Sequence, residues 1–265
     1  MIQRTFQVKW EELGVLVTYQ CNFSCGNCIS GCGKFTQGNR DDMAFEQIEK
    51  LFKQTEAYKK SWRRIWISGG EATLHPQIVE ILRLCLAYQR VLGFQLLLVT
   101  NGKVDLGIQK AIAALCTWYG HGNDGVLPLS EKCIVINSQK SVNVPAHKTM
   151  YVAPVDVPAF LDVDCSNGCG ILTECPVILN KYGFYLCAGG STIDRILGLD
   201  IGKKDLGKFL ADSMKDQLSQ FCKYCGEYKF YTGLPFNESK IWTLSPTWTS
   251  IKQKYDASPP TLTLF

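Results

Sequence analysis

The stretch Leu13-Gly14-Val15-Leu16-Val17-Thr18-Tyr19, followed after Gln20 by Cys21-Asn22-Phe23-Ser24-Cys25-Gly26-Asn27-Cys28, decides how the chain is read. The apolar run reads as a strand. The three cysteines, spaced C-x3-C-x2-C, fall on the loop at its C-terminal end, where α/β barrels place their chemistry. Each cysteine of an iron–sulfur site ligates one iron, so three thiolates on one short loop can hold three irons of a [4Fe–4S] cluster and leave the fourth open to another ligand. Tetrahedral zinc usually takes four ligands, typically as paired C-x2-C units. Disulfides fit a secreted chain better, and Met1-Ile2-Gln3-Arg4-Thr5 shows no apolar signal segment.

Two further strands end in candidate site residues. Arg64-Ile65-Trp66-Ile67-Ser68 runs into Gly69-Gly70-Glu71-Ala72-Thr73-Leu74-His75-Pro76. Glycines after a strand let the backbone approach a ligand closely, because no Cβ intervenes. Glu71 can accept a hydrogen bond from an ammonium group. Leu96-Leu97-Leu98-Val99 leads to Thr100-Asn101-Gly102, which reads equally as a polar strand end or as a plain turn at Asn-Gly. A fourth run, Cys133-Ile134-Val135-Ile136-Asn137, ends in Asn137-Ser138.

The cysteine loop resembles the signature of the radical S-adenosylmethionine (radical SAM) superfamily, and Gly69-Gly70-Glu71 resembles that family's GGE motif. The resemblance implies that Cys21, Cys25 and Cys28 hold a [4Fe–4S] cluster with SAM chelating the open iron. It implies that Gly69, Gly70 and Glu71 cradle the SAM amino group, that Asn101 lies near the active site, and that Asn137 or Ser138 holds the ribose. No convincing G-x-I-x-G-x-x-E motif follows, which leaves the adenine pocket unassigned. The implied reaction is reductive cleavage of SAM to a 5′-deoxyadenosyl radical that abstracts a hydrogen atom from substrate, the cofactor carrying the hard chemistry.

The intervening sequence fits an α/β chain. Phe45, Ile48, Leu51 and Phe52 recur at helical spacing, predicting a helix over about 44–60 capped by Asp41 or Asp42. Ile78, Ile81, Leu82, Cys85 and Leu86 mark a second helix after Pro76, ending near Gly93, and 106–118 reads as a third. Strand–helix alternation means a parallel sheet with crossover helices. Four strands are clear, Met150-Tyr151-Val152-Ala153 is a candidate fifth, and 119–132 reads as an irregular loop. The expected architecture is the family's partial (β/α)6 TIM-like barrel with a small cysteine-rich C-terminal domain. The boundaries read as 1–160 for the barrel, 161–235 for the cysteine-rich domain and 236–265 for an extended tail without helical period.

The second cysteine group comprises Cys165, Cys169, Cys175 and Cys187, then Cys222-Lys223-Tyr224-Cys225. It resembles the SPASM and twitch extensions of the superfamily, in which an aromatic-glycine hairpin ends in a cysteine and a later C-x2-C completes the set. That resemblance implies one auxiliary [4Fe–4S] cluster held by Cys187, Cys222 and Cys225, with Cys169 or Cys175 as fourth ligand. Spacing does not decide between these two, nor does it dispose of Cys165. A zinc ribbon on Cys165/Cys169 or Cys187 with Cys222/Cys225 is the alternative. Cys32, Cys85, Cys116 and Cys133 read as packing residues. Gly189-Gly190-Ser191-Thr192-Ile193-Asp194-Arg195 reads first as structure, a tight turn leading into packing, and second as a close approach to a cluster or substrate.

Composition narrows the class. The chain has 265 residues, 46% hydrophobic and 20% charged, as an ordinary globular protein does. A net charge of +4 is too mild to argue for nucleic acid, and no apolar run approaches the ~20 residues that span a bilayer. Thirteen cysteines without a signal segment favour metal ligation in a reducing, cytoplasmic setting. Relatives with such an extension commonly modify ribosomally made precursor peptides, which makes such a peptide the expected substrate; a radical SAM dehydrogenase or mutase on a small metabolite is the runner-up. The first strand begins about a dozen residues into the chain, so leader recognition is expected from a separate small leader-binding protein. A flavodoxin or ferredoxin is the expected electron donor. A non-catalytic electron-transfer protein is the reading from another class, and Gly69-Gly70-Glu71 argues against it.

Overall fold

The computed structural model describes residues 7–35, 42–119, 133–137, 150–228 and 244–265. Among them, β1 (Lys9–Thr18), β2 (Arg64–Gly69), β3 (Gln95–Thr100), β4 (Thr117–Tyr119), β5 (Cys133–Asn137), β6 (Pro176–Asn180) and β7 (Gly183–Tyr185) form one sheet in the order β4-β5-β3-β2-β1-β6-β7. Neighbours from β4 to β6 are parallel, and β6–β7 is an antiparallel hairpin. β1 is an interior strand, with β2 on one side and β6 on the other. It is buried over most of its length, as a strand covered on both faces should be. The α/β class and the largely parallel, open sheet expected from the sequence are present. Because the strands run parallel, the loops after β1, β2 and β3 emerge at one edge.

Helices cover the sheet: α1 (Phe45–Ala57), α2 (Ile78–Leu92), α3 (Leu106–Ala113), α4 (Ile171–Glu174), α5 (Ala188–Leu197), α6 (Leu206–Ala211), α7 (Lys215–Phe221) and α8 (Pro246–Ala257). Ile48, Leu51 and Phe52 of α1 and Ile78, Ile81, Leu82 and Cys85 of α2 pack into one core with Leu13, Val15, Ile65, Leu96 and Leu98. A second core lies between the β1 loop and the C-terminal half: Tyr19, Phe35, Tyr151, Tyr185, Trp248 and Tyr255.

Five expectations are corrected. The N-cap of α1 is Ala44, whose N–H donates to the Gln47 side chain; Asp42 instead accepts from the Thr18 hydroxyl and the Gln20 amide, while Asp41 lies outside the described residues. The third helix stops at Ala113, and Trp118 belongs to β4. Residues 150–153 are not a strand. Their backbone groups are taken elsewhere: Gly226 N–H donates to the Met150 carbonyl, Ser245 N–H to the Tyr151 carbonyl, and Ala153 N–H to the Ser245 hydroxyl. The parallel strand that does extend the sheet is β6, from the cysteine-rich segment. The tail is not wholly extended: Pro246 opens a helix that buries Trp248, Ile251 and Tyr255 at i, i+3 and i+7. Cys116, read as a packing residue, is disulfide-bonded. The loop expected over 119–132 falls outside the described residues from 120 onward.

Candidate active site

The β1 loop is built on β2. Gly69 has φ +151°, and a Cβ there would press into the Thr18 carbonyl; one on Gly70 would press into the Gln20 carbonyl. Only glycine allows this approach. Gly70 N–H then donates to the Thr18 carbonyl at 2.8 Å and Glu71 N–H to the Gln20 carbonyl at 2.7 Å. The two glycines therefore bring the 69–71 backbone against the lead-in to Cys21.

Glu71 is 1% exposed. Its Oε1 accepts from Thr73 N–H at 3.1 Å and the Thr73 hydroxyl at 2.7 Å; its Oε2 accepts from Asn101 N–H at 2.7 Å. A carboxylate offers about four acceptor sites, so one remains. Asn101 Nδ2 donates to Asn22 Oδ1 at 2.8 Å and points at Cys21 Sγ at 3.8 Å, while Asn22 Nδ2 donates to the Lys103 carbonyl at 2.6 Å. The ends of β1, β2 and β3 are thus one hydrogen-bonded unit.

Cys21, Cys25 and Cys28 are partly buried free thiols. Burial pushes the Cys21 thiol up, opposed by the Phe23 N–H that donates to its sulfur at 3.4 Å, and reinforced by Cys28, Glu71 and Cys25 nearby. The three thiols and Glu71 therefore share one electrostatic neighbourhood. N–H groups aimed at Cys21 sulfur suit a metal-bound thiolate, and three thiols on one loop suit three irons, so this donor set fits a [4Fe–4S] cluster.

Cys32, read as a packing residue, lies in the site. It is 4% exposed, its thiol donates to the Ser30 carbonyl at 3.8 Å, Cys28 beside it and burial push that thiol well up, and a Cβ on Gly70 would lie 2.8 Å from its sulfur. Its position four residues after Cys28 on the same loop is the signal that marks it. Asn137 ends β5 at the same edge, in register with Thr100. Ser138 lies outside the described residues.

The other cysteines gather at a second place. Cys169, Cys187, Cys222 and Cys225 line one narrow apolar cavity together with Leu218, Phe221 and Tyr228. Cys187 caps α5, its sulfur accepting Gly190 N–H at 3.3 Å. Gly189 and Gly190, expected first as a turn, are the first helical turn facing these sulfurs; a Cβ on Gly189 would meet Cys225 Sγ at 3.3 Å, and one on Gly190 Phe221 at 2.7 Å. Burial first, and then the nearby Cys187, push the Cys169 thiol up to about 12 and Cys175 up to about 11. Cys175, at the C-cap of α4 just before β6, does not line the cavity. Cys165 has Tyr228 as hydrogen-bond partner. Among the described residues no three His, Cys, Asp or Glu side chains converge on the position of a single metal ion. A cubane takes one thiolate per iron and needs no such convergence. Four free thiols around one apolar cavity fit it.

Comparison with known proteins gives the following. The chain resembles BtrN in its crystal structure with AdoMet and 2-DOIA, at 14% identity over 83% of this chain and 88% of that one, TM-score 0.47. It also resembles Streptococcus suis SuiB bound to S-adenosylmethionine, at 18% identity over 44% of this chain and 25% of that one, TM-score 0.33. For SuiB bound to the precursor peptide SuiA the identity is 17% over 49% and 33%, TM-score 0.35. No curated protein sequence matches the chain. The model of the radical SAM superfamily matches residues 15–140, the segment that holds the cysteine loop, Gly69-Gly70-Glu71 and Asn101. Residues 15–140 are a radical SAM superfamily domain.

Proposed function

We propose that the chain is a radical SAM enzyme that acts on a ribosomally made precursor peptide and carries one auxiliary cluster. The observation that carries the catalytic reading is the single hydrogen-bonded unit formed by Cys21, Asn22, Glu71 and Asn101 in a radical SAM domain. Cys21, Cys25 and Cys28 would hold the cluster, which together with SAM would supply one-electron cleavage of the sulfonium and hydrogen-atom abstraction from substrate. The chain's own residues orient and shield. Gly69 and Gly70 keep side chains out of the space beside the loop. Glu71 holds the end of β3 and keeps one acceptor site for the SAM ammonium. Asn101 steadies Cys21, and Asn137 or Ser138 serves the ribose.

For the auxiliary cluster we assign Cys169, Cys187, Cys222 and Cys225, supported by their shared cavity; Cys175 and Cys165 flank it. Residues 161–235 then act as a twitch-like unit whose hairpin continues the barrel sheet beside β1. The peptide substrate, a separate leader-binding protein and a flavodoxin- or ferredoxin-type donor rest on the family resemblance.

Anaerobic reconstitution with iron and sulfide, followed by metal counting, tests the cluster assignment. The reading expects about eight irons per chain, four per cubane, and about four in a Cys222→Ala/Cys225→Ala variant. About four irons with retained zinc in the wild type would make the C-terminal cysteines structural. Hydrogen transfer into 5′-deoxyadenosine from a deuterated peptide supports the substrate class. Transfer only from small polyols or metabolites overturns it.

A further inference from the structure

Arg195 lies eight residues beyond Cys187 on α5 and is 2% exposed. A buried guanidinium is costly unless its N–H groups find acceptors. Here the segment after the third loop cysteine supplies them for the two terminal nitrogens. Nη2 donates to the Ser30 carbonyl at 3.1 Å and Nη1 to the Phe35 carbonyl at 3.0 Å. Nη1 also reaches the Tyr255 hydroxyl at 3.3 Å, and that hydroxyl donates to the same Phe35 carbonyl at 2.8 Å. The guanidinium carbon lies 4.1 Å from the ring centroid of Tyr19, two residues before Cys21. The loop bends around this group: Gly31 has φ +69°, and a Cβ there would stand 3.1 Å from Arg195 Nη2.

We propose that Arg195 is a positioning residue for the cluster that Cys21, Cys25 and Cys28 would hold, clamping the segment from Ser30 to Phe35 and fixing a positive charge against the residues that flank the cysteine loop. The proposal rests on the cluster assignment above. Its two parts separate by chemistry. A planar fork reaches two carbonyls at once, which an ammonium on a flexible stem does not. A positive charge in a weakly polarisable interior favours the cluster state with one more electron. The same helix caps Cys187 at its first turn, so about 12 Å of helix axis joins the auxiliary cysteines to the clamp.

The test uses the reconstituted full chain as wild type, Arg195→Lys and Arg195→Gln. The readouts are an EPR redox titration of the signal that SAM perturbs, and amide exchange across residues 28–35. In Arg195→Gln the reduction equilibrium constant falls about tenfold, about 59 mV for one electron. In Arg195→Lys it stays within about threefold of wild type, while exchange across 28–35 speeds up about tenfold in both variants. An unmoved potential in Arg195→Gln, or equal shifts in both variants, overturns the electrostatic part. Native exchange in both overturns the clamp. If Arg195→Gln does not fold, Arg195→Lys decides: faster exchange at near-native potential supports the proposal, and native exchange overturns it. A wild type without any SAM-sensitive cluster defeats the cluster assignment and this proposal together. A normal wild-type cluster with unmoved variants defeats the Arg195 proposal alone.

Discussion

The Glu71 carboxylate accepts the backbone N–H of Asn101 at 2.7 Å, and the Asn101 side chain turns back to place its Nδ2 3.8 Å from Cys21 sulfur. Glu71 thus reaches the cysteine loop through Asn101. Replacing Asn101 by Ala removes the amide that faces Cys21 and Asn22 but keeps the backbone bond to Glu71. Partners that orient metal ligands are typically worth about 10–100-fold in activity. Asn101→Ala is expected to slow 5′-deoxyadenosine formation by that factor with the fold intact, measured beside circular dichroism. Glu71→Gln should couple to it: the double variant departs from additivity by more than about 0.5 kcal/mol in the activation free energy.

Trp248 is fully buried, its indole N–H donating to the Tyr224 carbonyl at 2.8 Å and its ring 5.0 Å from Tyr151 and 5.6 Å from Phe35. The Tyr151 hydroxyl in turn donates to the Cys28 carbonyl at 2.6 Å. Trp248→Ala is therefore expected to cost about 3–5 kcal/mol, read by denaturant titration. It is also expected to speed iron loss from the reconstituted chain, because the cavity opens beside the cysteine loop.

Glu12 sits at the other end of β1. Its carboxylate is buried and meets Arg63, Arg64 at 3.3 Å, Lys9 at 3.3 Å and the Trp66 indole N–H at 3.1 Å. The three cations stay partly exposed and can return to water, so Glu12→Ala should cost about 2 kcal/mol, below the ~3–5 of a fully buried pair. Because these groups lie at the edge of the sheet away from the site, SAM cleavage by the folded fraction should not change. A variant that unfolds no earlier than wild type would contradict this.

Cys85 packs in α2 against the main core, and burial pushes its thiol from 9.0 up to about 12. Its folded value is raised, so its contribution is fully present below pH 9 and is lost as pH rises from there toward 12. The unfolded chain ionises first, and wild type should lose about 1.4 kcal/mol by pH 10 from this group alone. Urea titrations of wild type and Cys85→Ala at pH 8 and pH 10 check this: the gap between them should narrow by that amount. A constant gap would place the thiol nearer water than the structure does.

Much of the site follows from residue spacing and strand order. Cys21, Cys25 and Cys28, Gly69-Gly70-Glu71 and Asn101 each end or follow a strand that the apolar pattern marks plainly, and parallel strands put their ends together. What escaped depends on long-range contact. The strand Thr117–Tyr119 is too short to carry a period. Residues 150–153 have strand composition, yet Ser245 and Gly226 take their backbone groups. In α8, Ser, Thr and Pro mask the spacing of Trp248, Ile251 and Tyr255, which was present to be read. Arg195 beside Asp194 gives no local sign of where it points. The structure sends Asp194 to the Tyr185 hydroxyl at 2.7 Å and Arg195 to the loop after Cys28.

The central claim is SAM cleavage at the cluster held by Cys21, Cys25 and Cys28. The most direct measurement is 5′-deoxyadenosine formed by the anaerobically reconstituted chain with SAM and a strong reductant, wild type against Cys28→Ala. The account predicts SAM-dependent product in wild type and none in Cys28→Ala. An iron-loaded wild type that forms no 5′-deoxyadenosine, or a Cys28→Ala chain that forms as much as wild type, would contradict it.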